Sequence, residues 1–174
     1  MRLKIDLNGI LLRLNIKDYE PSQQDRWDCQ WCHVDFSFSS YSWLDYHQEN
    51  DEVLLSCEVE TLAESLDKLL NDEITEITEL PCIEPDFNFV LYPKRDLRDD
   101  HKYIYVREGY EIADIYMEWI TTFWSDGLTG NYLSVTLDRD DIHILLCYLN
   151  YVTGKLNKQD PLIVELIKRN FITD

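Results

Sequence analysis

Leu3-Lys4-Ile5-Asp6-Leu7-Asn8-Gly9-Ile10-Leu11-Leu12-Arg13-Leu14 is the stretch whose reading decides the fold. Asn8-Gly9 is the preferred pair for a two-residue type I′ hairpin turn, because both central positions need positive φ. Pairing outward from that turn sets Leu7 opposite Ile10, Ile5 opposite Leu12 and Leu3 opposite Leu14. Side chains alternate between faces along a strand, so these six apolar residues share one face. Arg2, Lys4, Asp6, Arg13 and Lys17 take the other. A hairpin over roughly residues 2–17 therefore begins an antiparallel sheet with one buried face.

Beyond the hairpin, Asp18 to Gln24 carries Pro21 and no periodicity, and is expected to be a loop. Trp27 to Tyr46 has the composition of long strand, with Cys32, Val34, Phe36 and Phe38 alternating with His33, Asp35, Ser37 and Ser39. Ser39-Ser40 marks a turn or bulge before Tyr41-Ser42-Trp43-Leu44, and the polar stretch His47 to Glu52 is expected to be a loop. Val59, Leu62, Ala63, Leu66, Leu69 and Leu70 then form one helical stripe, predicting a helix from near Ser56 to near Asn71. Phe87 to Tyr92, Tyr103 to Arg107, Asp114 to Trp124 and Tyr132 to Leu137 read as further strands. A second helix opens at the N-cap Asp138, buries Ile142, Leu145, Leu146, Leu149 and Val152, and closes at Gly154 as its C′ residue. A third, short helix has Asp160 as cap and Pro161 at its first position. The expectation is an α+β fold. About seven to nine largely antiparallel strands pack with two main helices and a short C-terminal helix, in one domain over residues 1–174 with 155–174 as a helical extension.

The chain has 174 residues, with 34 Asp+Glu against 16 Lys+Arg and a formal net charge of −18. That length supports a core without staples, and 45% apolar with 29% charged residues is globular composition. The negative excess argues against direct nucleic-acid binding, which rests on releasing counterions from a phosphate backbone, and against anionic membrane surfaces. It favours attraction to something basic. Met1 to Asp6 alternates charged and apolar residues, so no signal peptide is expected, and no apolar run has spanning length. Five cysteines, Cys29, Cys32, Cys57, Cys82 and Cys147, are read as free thiols in a reducing cytoplasm.

Candidate chemistry is thin. Trp27-Asp28-Cys29-Gln30-Trp31-Cys32-His33 contains Cys-x-x-Cys-His, but zinc wants four ligands and no second paired motif exists. His143 and Cys147 lie at i and i+4, as on a packed helix flank. Ser37, Ser39, Ser40 and Ser42 lie in strand and turn, with no Gly-x-Ser-x-Gly elbow. The glycines are isolated and cradle no phosphate. No catalytic residue, metal or cofactor is expected. Trp27, Trp31, Trp43, Trp119 and Trp124 leave open an alternative, a carbohydrate- or small-ligand-binding module built on exposed tryptophans.

The charge distribution is the informative feature. Asp45 to Asp86 holds fourteen acidic residues, and only Lys68 opposes them. Like charges at i, i+4, such as Glu60 and Glu64, cost a few tenths of a kcal/mol each. Such a field steers a basic partner and raises its association rate with strong salt dependence. The candidate partner-binding residues are Glu49, Asp51, Glu52, Glu60, Glu64, Asp67, Asp72, Glu73, Glu76 and Glu79.

The same region carries a family likeness. A Trp-rich strand, Trp31-Cys32-His33-Val34-Asp35-Phe36-Ser37, is followed by the acidic helix from Cys57-Glu58-Val59-Glu60-Thr61-Leu62 to Leu69-Leu70. Leu80-Pro81-Cys82-Ile83-Glu84-Pro85-Asp86-Phe87-Asn88-Phe89 comes next, and Asn131 to Leu137 leads into the helix from Asp138. Over most of residues 3–153 this order resembles the WapI-type immunity proteins of bacterial polymorphic toxin systems. The resemblance implies a non-enzymatic, cytoplasmic antidote that binds and blocks a toxin's C-terminal nuclease domain, often a tRNase. The partner would be a cognate toxin domain, basic where it holds its phosphate substrate.

Overall fold

The hairpin turn puts both of its central residues at positive φ, Asn8 at 55° and Gly9 at 91°. Strands β1 (Arg2–Leu7) and β2 (Ile10–Lys17) follow from it in the register read from the sequence, with Leu3 opposite Leu14. The computed structural model describes residues 1–22, 29–99 and 101–173. Among them are eleven strands and three α-helices, all strand pairs antiparallel, an α+β arrangement.

β3 (Trp31–Ser40) pairs with β2, and β4 (Leu44–Leu55) returns along β3. The expected strand start at Trp27 lies outside the described residues. The ladder runs through Ser39 and Ser40, so the turn falls at residues 41–43. His47 to Glu52, expected as a loop, belongs to β4, with Asp51 opposite Val34 and Gln48 opposite Phe36. The correction has a simple cause. An edge strand is held by backbone bonds to one neighbour, and its exposed side chains need not be apolar. Two register shifts along β3–β4 also break the alternation that would announce it.

Helix α1 (Ser56–Leu70) begins where β4 ends and buries the predicted stripe, with Leu70 half-buried at its end. β5 (Thr78–Pro81), β6 (Phe87–Tyr92), β9 (Tyr116–Trp124) and β10 (Leu128–Leu137) form a second sheet in the order β10-β9-β6-β5. Between β6 and β9, β7 (Arg95–Asp96) and β8 (Ile112–Ala113) make a separate two-residue pair. Tyr103 to Arg107 is not a strand, contrary to its alternation; Ile104 and Tyr105 are exposed at 103% and 79%. Strand propensity describes fit to a half-buried pleat, and this segment has neither a core face nor a pairing partner.

The two sheets meet through aromatic rings. Phe36 of β3 lies 4.7 Å from Phe87, and Trp119 of β9 sits edge-on to Phe38, Phe87 and Phe89 at 6.0, 5.1 and 5.0 Å. Helix α2 (Arg139–Val152) is capped by Asp138, which accepts from the Asp140 and Asp141 amides. Its buried Tyr148 hydroxyl accepts from the Ile16 amide of β2 at 2.8 Å, tying helix to sheet. Gly154 takes the positive φ of a C′ residue, 76°. Helix α3 (Pro161–Lys168) has Asp160 as its cap, and β11 (Ile172–Thr173) covers the outer edge of β1. Ile163, Leu166 and Ile172 of this last stretch join the same core as Leu3. No helix among the described residues is long and apolar enough to cross a membrane.

The cysteine expectation needs correction. Cys29 and Cys57 are joined in a disulfide, while Cys32 and Cys147 are free and buried and Cys82 is free and half-buried. Trp31 pairs with Leu55, and the Ser56 amide donates to the Gln30 carbonyl at 2.9 Å. That backbone pairing sets the entry of β3 beside the first turn of α1 and brings the two Cα atoms within 5.7 Å.

Candidate partner-binding surface

The ten acidic candidates fall on β4, on α1 and on the stretch from the end of α1 into β5. Glu49, Asp51 and Glu52 project from the outer half of β4 and are exposed. Here Asp35 and Lys17 pair at 2.7 Å, and the Asn50 amide donates to the same carboxylate at 2.9 Å. Against the cost of burial, the bonds from Lys17, Asn15 and Asn50 hold Asp35 at about 2. Glu52 lies 3.7 Å from His33, whose other ring nitrogen is 3.0 Å from Asp18. The β4 group thus borders the loop after β2.

Glu60, Glu64 and Asp67 lie on one flank of α1, whose Glu60 faces that loop. Glu60 is committed to it. Its carboxylate accepts from the Tyr19 hydroxyl at 2.7 Å, the Ser22 amide at 2.9 Å and the Ser22 hydroxyl. Burial would raise its pKa, but the Ser22 and Tyr19 bonds and the charge of Lys155 hold it below the ordinary glutamate value. Glu64 and Asp67 are exposed and line, with Glu73, a depression of about 410 Å³ that Lys68 and Lys155 also edge. Lys155 is far away in sequence, so the acidic helix is less one-sided than its local run implies.

The stretch after α1 carries Asp72, Glu73, Glu76 and Glu79. Asp72, at φ 57°, accepts from Arg139 at 3.1 Å. The same guanidinium reaches Asp114 at 2.7 Å and the Leu70 carbonyl at 3.1 Å, clasping the end of α1 to the start of α2. Glu73, Glu76 and Glu79 are exposed. Glu79, on β5, stands apart from the depression and lines a groove with Glu58 and Thr61 of α1.

Glu58 was not singled out from the sequence, and it too is held in place by backbone donors. It accepts from the Leu55 amide at 2.8 Å and the Ile83 amide at 2.6 Å. Its position in the first turn of the helix is where a glutamate reaches back to the entering chain, and that signal was available. Among the described residues no group of three or more His, Cys, Asp or Glu side chains is placed to hold a metal ion. His143 Nε2 lies 3.9 Å from the buried Cys147 sulfur. Of the tryptophans, Trp27 lies outside the described residues, Trp119 is in the core at 1% exposure, and Trp43 is exposed at 66%. Trp31 and Trp124 are half-buried.

In comparison with known proteins, the family described as the immunity protein WapI-like family matches this chain over residues 2–156. The match takes in every element through α2 and ends before α3 and β11. No curated protein matches the chain.

Proposed function

The chain belongs to the immunity protein WapI-like family, and from that premise we propose that it neutralises a basic, nuclease-type toxin domain through the acidic surface built on β4, α1 and the stretch after it. Membership implies a toxin-neutralising immunity role. The finer reading rests on one observation above others: Glu64, Asp67, Glu73 and Glu76 are exposed along one end of α1 and its exit. A nuclease is basic where it holds a phosphate backbone, so a field of this sign steers it and fits that surface. The antidote acts by occupancy and without turnover, in the cytoplasm where such an enzyme meets its substrate. An interface of about 800 Å² per partner is the usual size for such a complex.

The test is co-expression with the C-terminal domain of the cognate polymorphic toxin under an inducible promoter, together with affinity measured at two salt concentrations. The parent chain restores growth, and binding weakens as salt rises. The combined variant Glu64→Lys, Asp67→Lys, Glu73→Lys binds about 100-fold more weakly, on the order of 3 kcal/mol. Unchanged affinity in that variant would move the interface elsewhere.

A further inference from the structure

On the other flank of α1 a groove of about 380 Å³ runs between its first two turns and strand β5. Leu55, Leu62, Leu80 and Phe89 give it an apolar floor. Its rim carries two carboxylates, Glu58 and Glu79, and no lysine, arginine or histidine lines it among the described residues. Glu58 is fixed at one end by its bonds from the Leu55 and Ile83 amides. Apolar surface continues outward from the groove in Ile83, exposed at 69%. The half-buried, free Cys82 also lines the groove. β5 is also an edge strand, so nothing in the sheet covers its outer side.

We propose that this groove is the anchor socket of the interface, and that its occupant is a large apolar side chain of the partner protein flanked in sequence by lysine or arginine. The proposal rests on the immunity reading for the identity of that partner. The apolar floor calls for an anchor of the kind that dominates protein interfaces, a big side chain desolvated in a pocket. The flanking cations follow from the rim, and from Glu79 above all, since Glu58 already accepts two amides. A carboxylate covered by a partner loses its water, and that loss is offset only where a positive group or a donor meets it. Charge complementarity therefore selects among apolar segments, rejecting neutral and acidic ones.

The proposal is tested with the full chain and three fluorescein-labelled peptides, Lys-Lys-Trp-Lys-Lys, Lys-Lys-Ser-Lys-Lys and Glu-Glu-Trp-Glu-Glu, by fluorescence anisotropy at physiological salt. The first is expected to bind at least about tenfold tighter than the other two. Thr61→Trp fills the groove from an exposed position on α1 and abolishes that preference, while Ser134→Trp on the exposed side of β10 leaves it intact. Glu79→Gln weakens the first peptide about three- to fivefold without adding bulk. Thermal melting shows whether each variant is folded. Three peptides that bind alike, or a preference that survives Thr61→Trp in the folded protein, overturns the socket. The toxin co-expression assay separates the two readings: a peptide preference without neutralisation keeps the socket and removes the immunity reading. Neutralisation by the parent and Thr61→Trp alike, with no peptide preference, does the reverse.

Discussion

The two ends of α1 carry the same residue type and put it to opposite uses. At the N-terminal end, Glu58 holds the Leu55 and Ile83 amides, and Glu60 holds Tyr19 and Ser22. At the C-terminal end, Glu64 and Asp67 are exposed beside Glu73, facing water and two lysines. A carboxylate that already accepts several charge-assisted bonds has few lone pairs left for a partner, and its removal is felt in stability. An exposed one adds almost nothing to stability and acts at a distance through its field. Acidic composition therefore overstates the interface, because part of the charge holds the fold together.

The sharpest way to break this division is to change each end separately. The three reversals at Glu64, Asp67 and Glu73 carry the largest expected effect, about 100-fold in affinity, mostly in association rate and salt slope. Their melting temperature should stay within a few degrees. Glu60→Ala is expected to do the opposite. It leaves toxin affinity within about twofold and lowers stability by about 2 kcal/mol, a drop of roughly 4–8 °C in melting temperature. Its pH dependence has a definite sign. Because the folded-state pKa of Glu60 is depressed, its contribution is present above the unfolded value and lost as pH falls through the folded one. Equal effects of both sets on affinity would show that the two ends act as one patch.

Arg139 sharpens the comparison, since it bonds Asp72 although that residue is exposed. Arg139→Met should cost about 1 kcal/mol by urea titration, because the clasp between α1 and α2 loses Asp72, Asp114 and the Leu70 carbonyl together. The hydrogen bond from Arg139 holds Asp114 at about 2. The difference between parent and variant should therefore persist at neutral pH and shrink as pH falls from about 4 towards 2.

Much of the fold was legible because its signals are local. The hairpin register follows from one dipeptide and the alternation around it, and the helix bounds follow from a stripe, two aspartate caps, Pro161 and Gly154. Where the structure departs from expectation, the deciding contact is remote or the element is too short to have a period. β7, β8 and β11 have two residues each, and β5 has four. The polar half of β4 is held by a ladder that does not depend on its side chains. At the site, the acidic run was visible, but its division was not. The Ser22 and Arg139 partners of Glu60 and Asp72 lie 38 and 67 residues away. Lys155 and the Cys29–Cys57 bond were hidden for the same reason.

Asp86 is a third kind of carboxylate, buried like a structural one but with one oxygen left unpaired. It is 3% exposed, and its Oδ1 has no hydrogen-bond partner. Burial first, then the charge of Asp51, pushes it up to about 6. An ordinary aspartate titrates near ~3.9, so the folded protein holds this proton between pH ~4 and ~6 while the unfolded chain releases it. Its contribution is fully present below that window and lost as pH rises through about 6. Asp141, also raised to about 6 by burial and then by Asp138 and Asp140, acts with the same sign. Asp86→Asn should accordingly stabilise the protein by about 1 kcal/mol at pH ~7.5 and change little at pH ~4. Asp51→Asn should give a smaller gain in the same direction, because it removes only the second cause. If Asp86→Asn instead destabilises at the higher pH, its carboxylate is bonded into the fold and belongs with Glu58 and Glu60. If the gain appears, Asp86 reports on Asp51 through their repulsion, and a cation brought against Asp51 by a partner should lower the pH at which Asp86 titrates.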